Sequence, residues 1–468
     1  MHDKTILAVA ANACGEVFEH PYLLMAGMNG TRIRNPRPEE LIPLPEGSRL
    51  FTLPGMPVLG YDRHSGRLRQ ETHMPSSLGG EKIEAVSAFV APAFTRTLLP
   101  AAHFAPDGDS LSLWAYTAVG WCREEGRFYV AVVREDKSHQ WDPDRFDDRQ
   151  VEPRTRARLK AHPDNRLLRQ LARCALDYHC FAAKNLFLER WEAPLPTSPS
   201  CNAACLGCIS LKQSECCPSS QERITFVPTV EEICGVAVPH LRKVNNAIVS
   251  FGQGCEGEPI LQADRICEAV REIRRQTSRG TVNFNTNGSL PEAVPHLADA
   301  GIDSMRISLN SARESCYQNY YRPHCYAFQD VVQSVHNAKK NGLFTMLNYL
   351  VFPGLSDLPE EVDALVRLVE EAGVDMVQMR NLSIAPGLYL HSQHLDGEGM
   401  GIKTMLDTIK RRVPHVQFGY FNRPKEKFYP PGFETDWQFS APSRGDDSNR
   451  ASAAKRIHRN ANNPHKTA

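Results

Sequence analysis

The stretch NAIVSFGQGCEGEPILQADRICEAVREIRRQT, residues 246–277, changes its period midway. Residues 246–252 form a short apolar run closed by Gly, which reads as a buried strand. Residues 260–277 carry apolar side chains at helical spacing, with Pro259 at the helix start. The same unit recurs along the chain. Apolar runs lie at 281–286, 304–309, 344–352 and 376–382, and amphipathic segments at 229–244, 290–300, 326–341 and 358–372. Pro291 stands near one helix start, and Gly301, Gly342 and Gly373 stand just past helix ends. Alternation repeated this often implies an α/β fold of parallel strands with right-handed crossovers, a barrel or an open doubly wound sheet.

Outside this core the pattern differs. Residues 1–150 read as a β-rich N-terminal domain, with runs RLFTLPGMPVLGY, IEAVSAFVAP, LSLWAYTAVGW and RFYVAVVRED. The last two suggest a hairpin closed around Glu124–Gly126. Residues 151–187 read as a linker of one or two helices. The core then occupies 188–425, with a further helix near 399–413. Residues 426–468 are basic and poor in large apolar side chains, the composition of a disordered tail.

Composition narrows the class. The 468 residues carry 54 basic and 54 acidic side chains, so no net field points toward nucleic acid or away from it, and nucleic acid stays open as a partner. No apolar run reaches the ~20 residues of a membrane-spanning helix, so no membrane association is expected. The start MHDKTILAVAANAC has Asp3 beside Lys4 and Asn12 in the region of a cleavage site. It reads as a buried strand or helix, not an export signal. There are 14 cysteines, clustered and not evenly spread, which suggests metal ligation in a reducing cytoplasm. Cys14, Cys122, Cys174 and Cys180 have no ligand-like spacing and read as buried thiols.

The densest cluster is PSCNAACLGCISLKQSECCPSS, residues 199–220. Zinc would want paired knuckles and a fourth ligand at matching spacing, which the adjacent Cys216 and Cys217 supply poorly. A disulfide is disfavoured by compartment, and core thiols by the Ser, Asn, Gly and Ala around them. An iron–sulfur cluster remains, with Cys201, Cys205 and Cys208 holding three corners and leaving one iron open.

Here CNAACLGC, residues 201–208, resembles the CxxxCxxC signature of the radical S-adenosylmethionine (SAM) enzymes. Later segments match the rest of the family pattern in order, across roughly 190–390. The resemblance implies a partial (β/α)6 TIM-like barrel that binds one [4Fe–4S] cluster and SAM. It implies reductive cleavage of SAM to a 5′-deoxyadenosyl radical, which takes hydrogen from a substrate the sequence does not identify. An electron donor of flavodoxin or ferredoxin type follows. GQGCEGEP maps the methionine amino-group contacts onto Glu256, Gly257 and Glu258, with Glu256 where the family has Gly. NFNTNGS contributes Asn285 and Asn287, RISLNS contributes Ser308 and Asn310, and NYLVFPGLSD contributes Asn348, Val351 and Phe352 near adenine, with barrel core the equal alternative for Val351 and Phe352. Gly207 replaces the family's usual aromatic, a contact expected from Leu206 or elsewhere. Cys255 is the candidate for a catalytic hydrogen donor, against the plainer reading of a buried thiol. ARESCYQNYYRPHCY, residues 312–326, suits either the substrate mouth or packing on the barrel rim. The alternative to an enzyme is a non-catalytic iron–sulfur or zinc-binding adaptor on a degenerate barrel.

Overall fold

The computed structural model describes residues 4–104, 114–211, 219–394 and 397–429. The opening stretch resolves to a strand, Ile6–Asn12, because its five central residues are buried and alternate onto two covered faces. It pairs antiparallel with Val17–Met25, Ile83–Phe89 and Val119–Cys122 in a ten-stranded sheet. Val119–Cys122 and Arg127–Arg134 form the expected hairpin. RLFTLPGMPVLGY splits at Pro54 and Gly55 into two strands, Arg49–Thr52 and Val58–Asp62. Each pairs elsewhere in the sheet.

Three helices follow, one more than expected: α1 (Asp148–Ala161), α2 (Arg166–Leu176) and α3 (Phe181–Phe187). Asn165 caps α2 by accepting from the Leu168 N–H, and His179 in a left-handed conformation separates α2 from α3. They are more than a connection, since Leu168, Leu171, Leu186 and Phe187 share one core with the barrel's Ile233 and Val236.

The second half is a parallel sheet in chain order: Glu192–Pro194, Ile248–Phe251, Thr281–Thr286, Ser304–Leu309, Phe344–Val351, Met376–Asn381 and Gln417–Gly419, the first to seventh barrel strands. Helices α4 (Val230–Lys243), α5 (Ala263–Gln276), α6 (Ala293–Ala300), α7 (Glu314–Tyr321), α8 (Phe328–Lys340), α9 (Pro359–Ala372), α10 (Pro386–Gln393) and α11 (Ile402–Arg412) connect them. The seventh strand adds to the six expected; three residues containing Gln and Gly leave no apolar run to read. First and seventh strands lie at opposite edges, so the barrel is partial. Asn422 spans the gap, donating to Glu192 Oε1 (2.8 Å) and accepting from Gln378 Nε2 (3.1 Å).

Strand alternation separates two environments. Met305, Ile307 and Leu309 are buried beneath helices, whereas Arg306 and Ser308 keep partial solvent access. Asn348 and Leu350 on the fifth strand, and Arg380 on the sixth, do the same. The barrel therefore has an open, largely polar lumen.

The N-terminal sheet is fastened to the sixth strand. Thr95 Oγ1 donates to the Met379 carbonyl, the Arg96 N–H to Asn381 Oδ1, and Asn381 Nδ2 to the Phe94 carbonyl, each at 2.9 Å. At the other end, residues 426–429 are ordered, contrary to a tail starting at 426. Phe428 stacks on Phe344 (4.2 Å between ring centres), and the Tyr429 hydroxyl meets Asp375 Oδ1 at 2.9 Å. The rest of the expected tail, 430–468, and Cys216 and Cys217 lie outside the described residues. No helix among the described residues is long and apolar enough to cross a membrane.

Candidate functional site

Cys201, Cys205 and Cys208 lie on the loop after the first strand, all partly exposed at the carboxyl ends of the strands. Two neighbouring segments hold this loop. On one side, the Gly257 N–H donates to the Ser198 carbonyl (2.7 Å) and the Glu258 N–H to that of Ser200 (2.8 Å). A Cβ on Gly257 would stand 1.9 Å from the Ser200 oxygen, so this close approach requires glycine. On the other side, the N–H groups of Ala204 and Leu206 reach the Tyr321 and Tyr320 carbonyls (3.0 Å each), and the His324 N–H reaches that of Asn202 (2.8 Å). The 312–326 segment thus packs beside the cysteines and does not form an open mouth, with Tyr317, Tyr320 and Tyr321 buried.

The thiols sense one another. Burial pushes Cys201 up to about 11, and pushes Cys205 well above the ordinary thiol range, with the neighbouring Cys201 and Cys208 adding to it. Yet among the described residues no three His, Cys, Asp or Glu side chains converge closely enough for a single ion. Three thiols on one loop at the strand ends can take three corners of a multi-iron cluster. Positive charge is at hand in Arg223, which donates to Cys208 Sγ (3.8 Å) and Ser210 Oγ (3.2 Å). Sequence reasoning missed Arg223; the basic residue shortly after the triplet was the available signal.

The expected SAM contacts divide. Glu256 is turned away from the lumen's ligand space. Its carboxylate accepts from the N–H groups of Thr197 (2.7 Å), Ser198 (3.0 Å), Gly252 (2.6 Å) and Gln253 (3.1 Å), tying the first loop to the second. It is a clamp between loops, not a free acceptor for an ammonium group. Glu258 accepts from the Ile260 N–H, the Thr286 hydroxyl (2.6 Å) and the Asn287 N–H (2.8 Å). Burial raises both carboxyls to about 7 against the pull of these donors. Asn287 donates to Asn202 Oδ1 (2.9 Å) beside the cysteines, while Asn285 holds the Phe251 carbonyl (2.8 Å). Asn310 donates to the Cys316 carbonyl and the Tyr389 hydroxyl, and its buried Oδ1 has no partner. Asn348 donates to Ser308 Oγ (3.1 Å), and its Oδ1 is likewise unpartnered.

Val351 and Phe352 are completely buried in the hydrophobic core. Residues 348 and 351 fall on opposite faces of a strand, so the inward apolar neighbour of Asn348 is Leu350. Cys255 is also core, its buried thiol beside Cys174 on α2, which removes it as a hydrogen donor to the lumen. Of the four thiols expected to be buried, Cys122 and Cys174 are, Cys180 is half-buried and Cys14 is exposed.

Gly207 has a structural explanation. A Cβ there would lie 2.8 Å from the Tyr320 hydroxyl and 2.9 Å from the Ser383 carbonyl. The space that a side chain at 207 would enter is filled by Tyr320, from the turn of α7 that also holds Leu206.

Residues 195–369 match the model of the radical SAM superfamily. The FeMo cofactor biosynthesis protein NifB of Klebsiella pneumoniae is 22% identical over 177 residues, covering 35% of this chain and 37% of that protein. The bacteriochlorophyllide d C-8(2)-methyltransferase of Chlorobaculum tepidum is 25% identical over 126 residues, 27% of each. The chain thus spans well under half the length of these relatives. Solved structures with similarity include HydG, a maturase of the [FeFe]-hydrogenase (18% identity, TM-score 0.37, 58% of this chain and 66% of that one) and SuiB of Streptococcus suis (13%, 0.35, 66% and 70%). The cofactors that go with the superfamily are a [4Fe–4S] cluster and SAM. By its cysteine signature, its parallel barrel and this match, the chain carries a domain of the radical SAM superfamily.

Proposed function

We propose that the chain is a radical SAM enzyme in which Cys201, Cys205 and Cys208 hold three irons of one [4Fe–4S] cluster and SAM occupies the lumen beside it. The observation that carries this reading is the three-thiol loop at the strand ends, laced by backbone bonds to the second-strand loop and to residues 320–324. Bound there and given one electron, a cluster and SAM would supply the chemistry of reductive C–S cleavage and hydrogen abstraction from substrate. The chain's own part is positioning. The Glu256 clamp and Gly257 set the height of the cysteine loop, and Glu258 fixes the turn carrying Asn287. Arg223 holds positive charge against Cys208. Asn310, Asn348 and Ser308 offer polar contacts for ribose or the methionine carboxylate. Tyr320 supplies the aromatic surface absent from position 207. We assign to Glu256 and Gly257 a supporting role and to Val351 none toward the cofactor.

In this reading the N-terminal sheet covers the barrel beside the sixth strand, the three helices pack on it, and the barrel, with residues up to Tyr429 packed against it, holds the chemistry. A flavodoxin- or ferredoxin-type donor delivers the electron in the cytoplasm.

The test is anaerobic reconstitution followed by reduction. Wild-type chain should take up one [4Fe–4S] cluster and form 5′-deoxyadenosine from SAM, and Cys→Ala at 201, 205 and 208 together should abolish both. Undiminished iron in the triple variant would end the proposal. Iron uptake without SAM cleavage would favour the adaptor.

A further inference from the structure

Beyond the tightly bonded loops the lumen wall carries two arginines, Arg306 and Arg380. Arg306 projects inward from the middle of the fourth strand, and Arg380 from the end of the sixth. Arg306 Nη1 donates to Gln378 Oε1 at 3.0 Å, and its fully enclosed Nε has no hydrogen-bond partner. Arg380 Nη1 donates to the Tyr420 carbonyl at 2.8 Å, with the guanidinium 4.2 Å above the Tyr420 ring. Both partners are neutral. Among the described residues neither guanidinium has a carboxylate within ion-pair distance.

The carboxylate whose charge reaches Arg306, Glu192, is already engaged by neutral donors. Glu192 Oε1 accepts from Ser250 Oγ (2.7 Å), Gln253 Nε2 (3.2 Å) and Asn422 Nδ2 (2.8 Å). Desolvation lowers Arg306 to about 9, the like charge of Arg380 adds to it, and the charge of Glu192 opposes both without overcoming them. Each guanidinium has five N–H donors, of which each spends one here. Two like charges on one lumen wall, with most of their donors unspent and Arg306 Nε enclosed, are costly to hold unless an anion joins them. Their position matters equally. Arg306 shares its inward face with Ser308, and the register sets Asn348 between Ser308 and Gln378. The arginines therefore border the residues assigned above to SAM and face the same solvent-accessible lumen.

We propose that this wall binds the substrate through an anionic group, a carboxylate or a phosphate, clasped between the Arg306 and Arg380 guanidiniums. Arginine suits this role because its planar fork meets either group with two parallel hydrogen bonds. The assignment of the bound molecule as substrate rests on the function proposed above; the anion site itself does not.

The experiment titrates inorganic phosphate, and separately succinate, into the full-length chain, following the melting temperature and equilibrium dialysis. Wild type should bind at least one probe saturably, with the stronger of the two naming the group. R306Q and R380Q should each weaken that binding by about tenfold or more, the scale of a charge-assisted bond. R306K should recover part of it as a point charge. Without added anion, R306Q should melt at or above wild type, because it relieves like-charge repulsion. If a Gln variant fails to fold, R306K and R380K carry the test, each losing the forked contact. Wild-type affinity in these variants, or no saturable binding by the wild type, overturns the site. So does weakened SAM binding with an intact phosphate response, which would assign the arginines to the cofactor. A chain that cleaves SAM but ignores both probes removes this inference alone. One that binds phosphate through these arginines but takes up no cluster removes the function alone.

Discussion

The two sides of the lumen are built on opposite principles. Over the first three strands, polar groups are spent on one another. Glu256 takes four backbone N–H groups, Glu258 takes three donors, and Asn287 and Asn202 close the network at the cysteines. Over the fourth to sixth strands, buried polar atoms stand without partners: Arg306 Nε, Asn310 Oδ1 and Asn348 Oδ1. Satisfied networks make rigid supports, whereas unsatisfied buried groups are costly to keep and mark where a ligand completes them. The first side reads as a frame for a cluster, the second as a surface for ligands.

That contrast predicts unequal costs of substitution. The largest effect should come from Gly257→Ala. Its Cβ would meet the Ser200 carbonyl oxygen, so the loops must separate, at about 3 kcal/mol by denaturant unfolding and with loss of iron uptake. Wild-type stability and iron content in this variant would break the idea of a rigid frame. Next, Glu256→Gln keeps the volume but turns part of a four-N–H acceptor into a donor, and should cost about 2 kcal/mol. A Gln variant as stable as wild type would show that the clamp carries no load.

Gly207→Phe should distort the cysteine loop by collision with Tyr320, lowering the cluster yield. Adding Tyr320→Ala should restore much of it, because the two positions share one space. Failure of the second change to rescue the first would contradict the exchange of aromatic positions. The smallest stability effect belongs to Asn348→Ala on the ligand side, under about 1 kcal/mol, since it removes one hydrogen bond and one orphaned acceptor. SAM affinity should nevertheless fall, measured by equilibrium dialysis. Equal losses of stability on the two sides would erase the distinction.

What could be read beforehand follows the same division. The barrel strands and helices were legible because apolar periodicity survives in parallel strands covered by helices. The cysteine triplet was legible because its spacing is local. Direction was not. GQGCEGEP does not reveal that Glu256 points back to Thr197 and Ser198, or that the Cys255 thiol meets Cys174 on a distant helix. For Val351 the structure selects the core alternative, and alternation from Asn348 points to Leu350. Tyr320 filling the space beside Gly207 is a contact across the fold, with no local trace. Arg306 left a signal that went unused, a charged residue alternating with Ser308 in an otherwise apolar strand.

The central claim is that three thiolates leave one iron of the cluster open for SAM. Electron paramagnetic resonance of the reduced, reconstituted chain, recorded with and without SAM, tests it most directly. Adding SAM should change the [4Fe–4S]⁺ signal. An unchanged signal at saturating SAM would mean that the iron is closed to it, and would contradict the account.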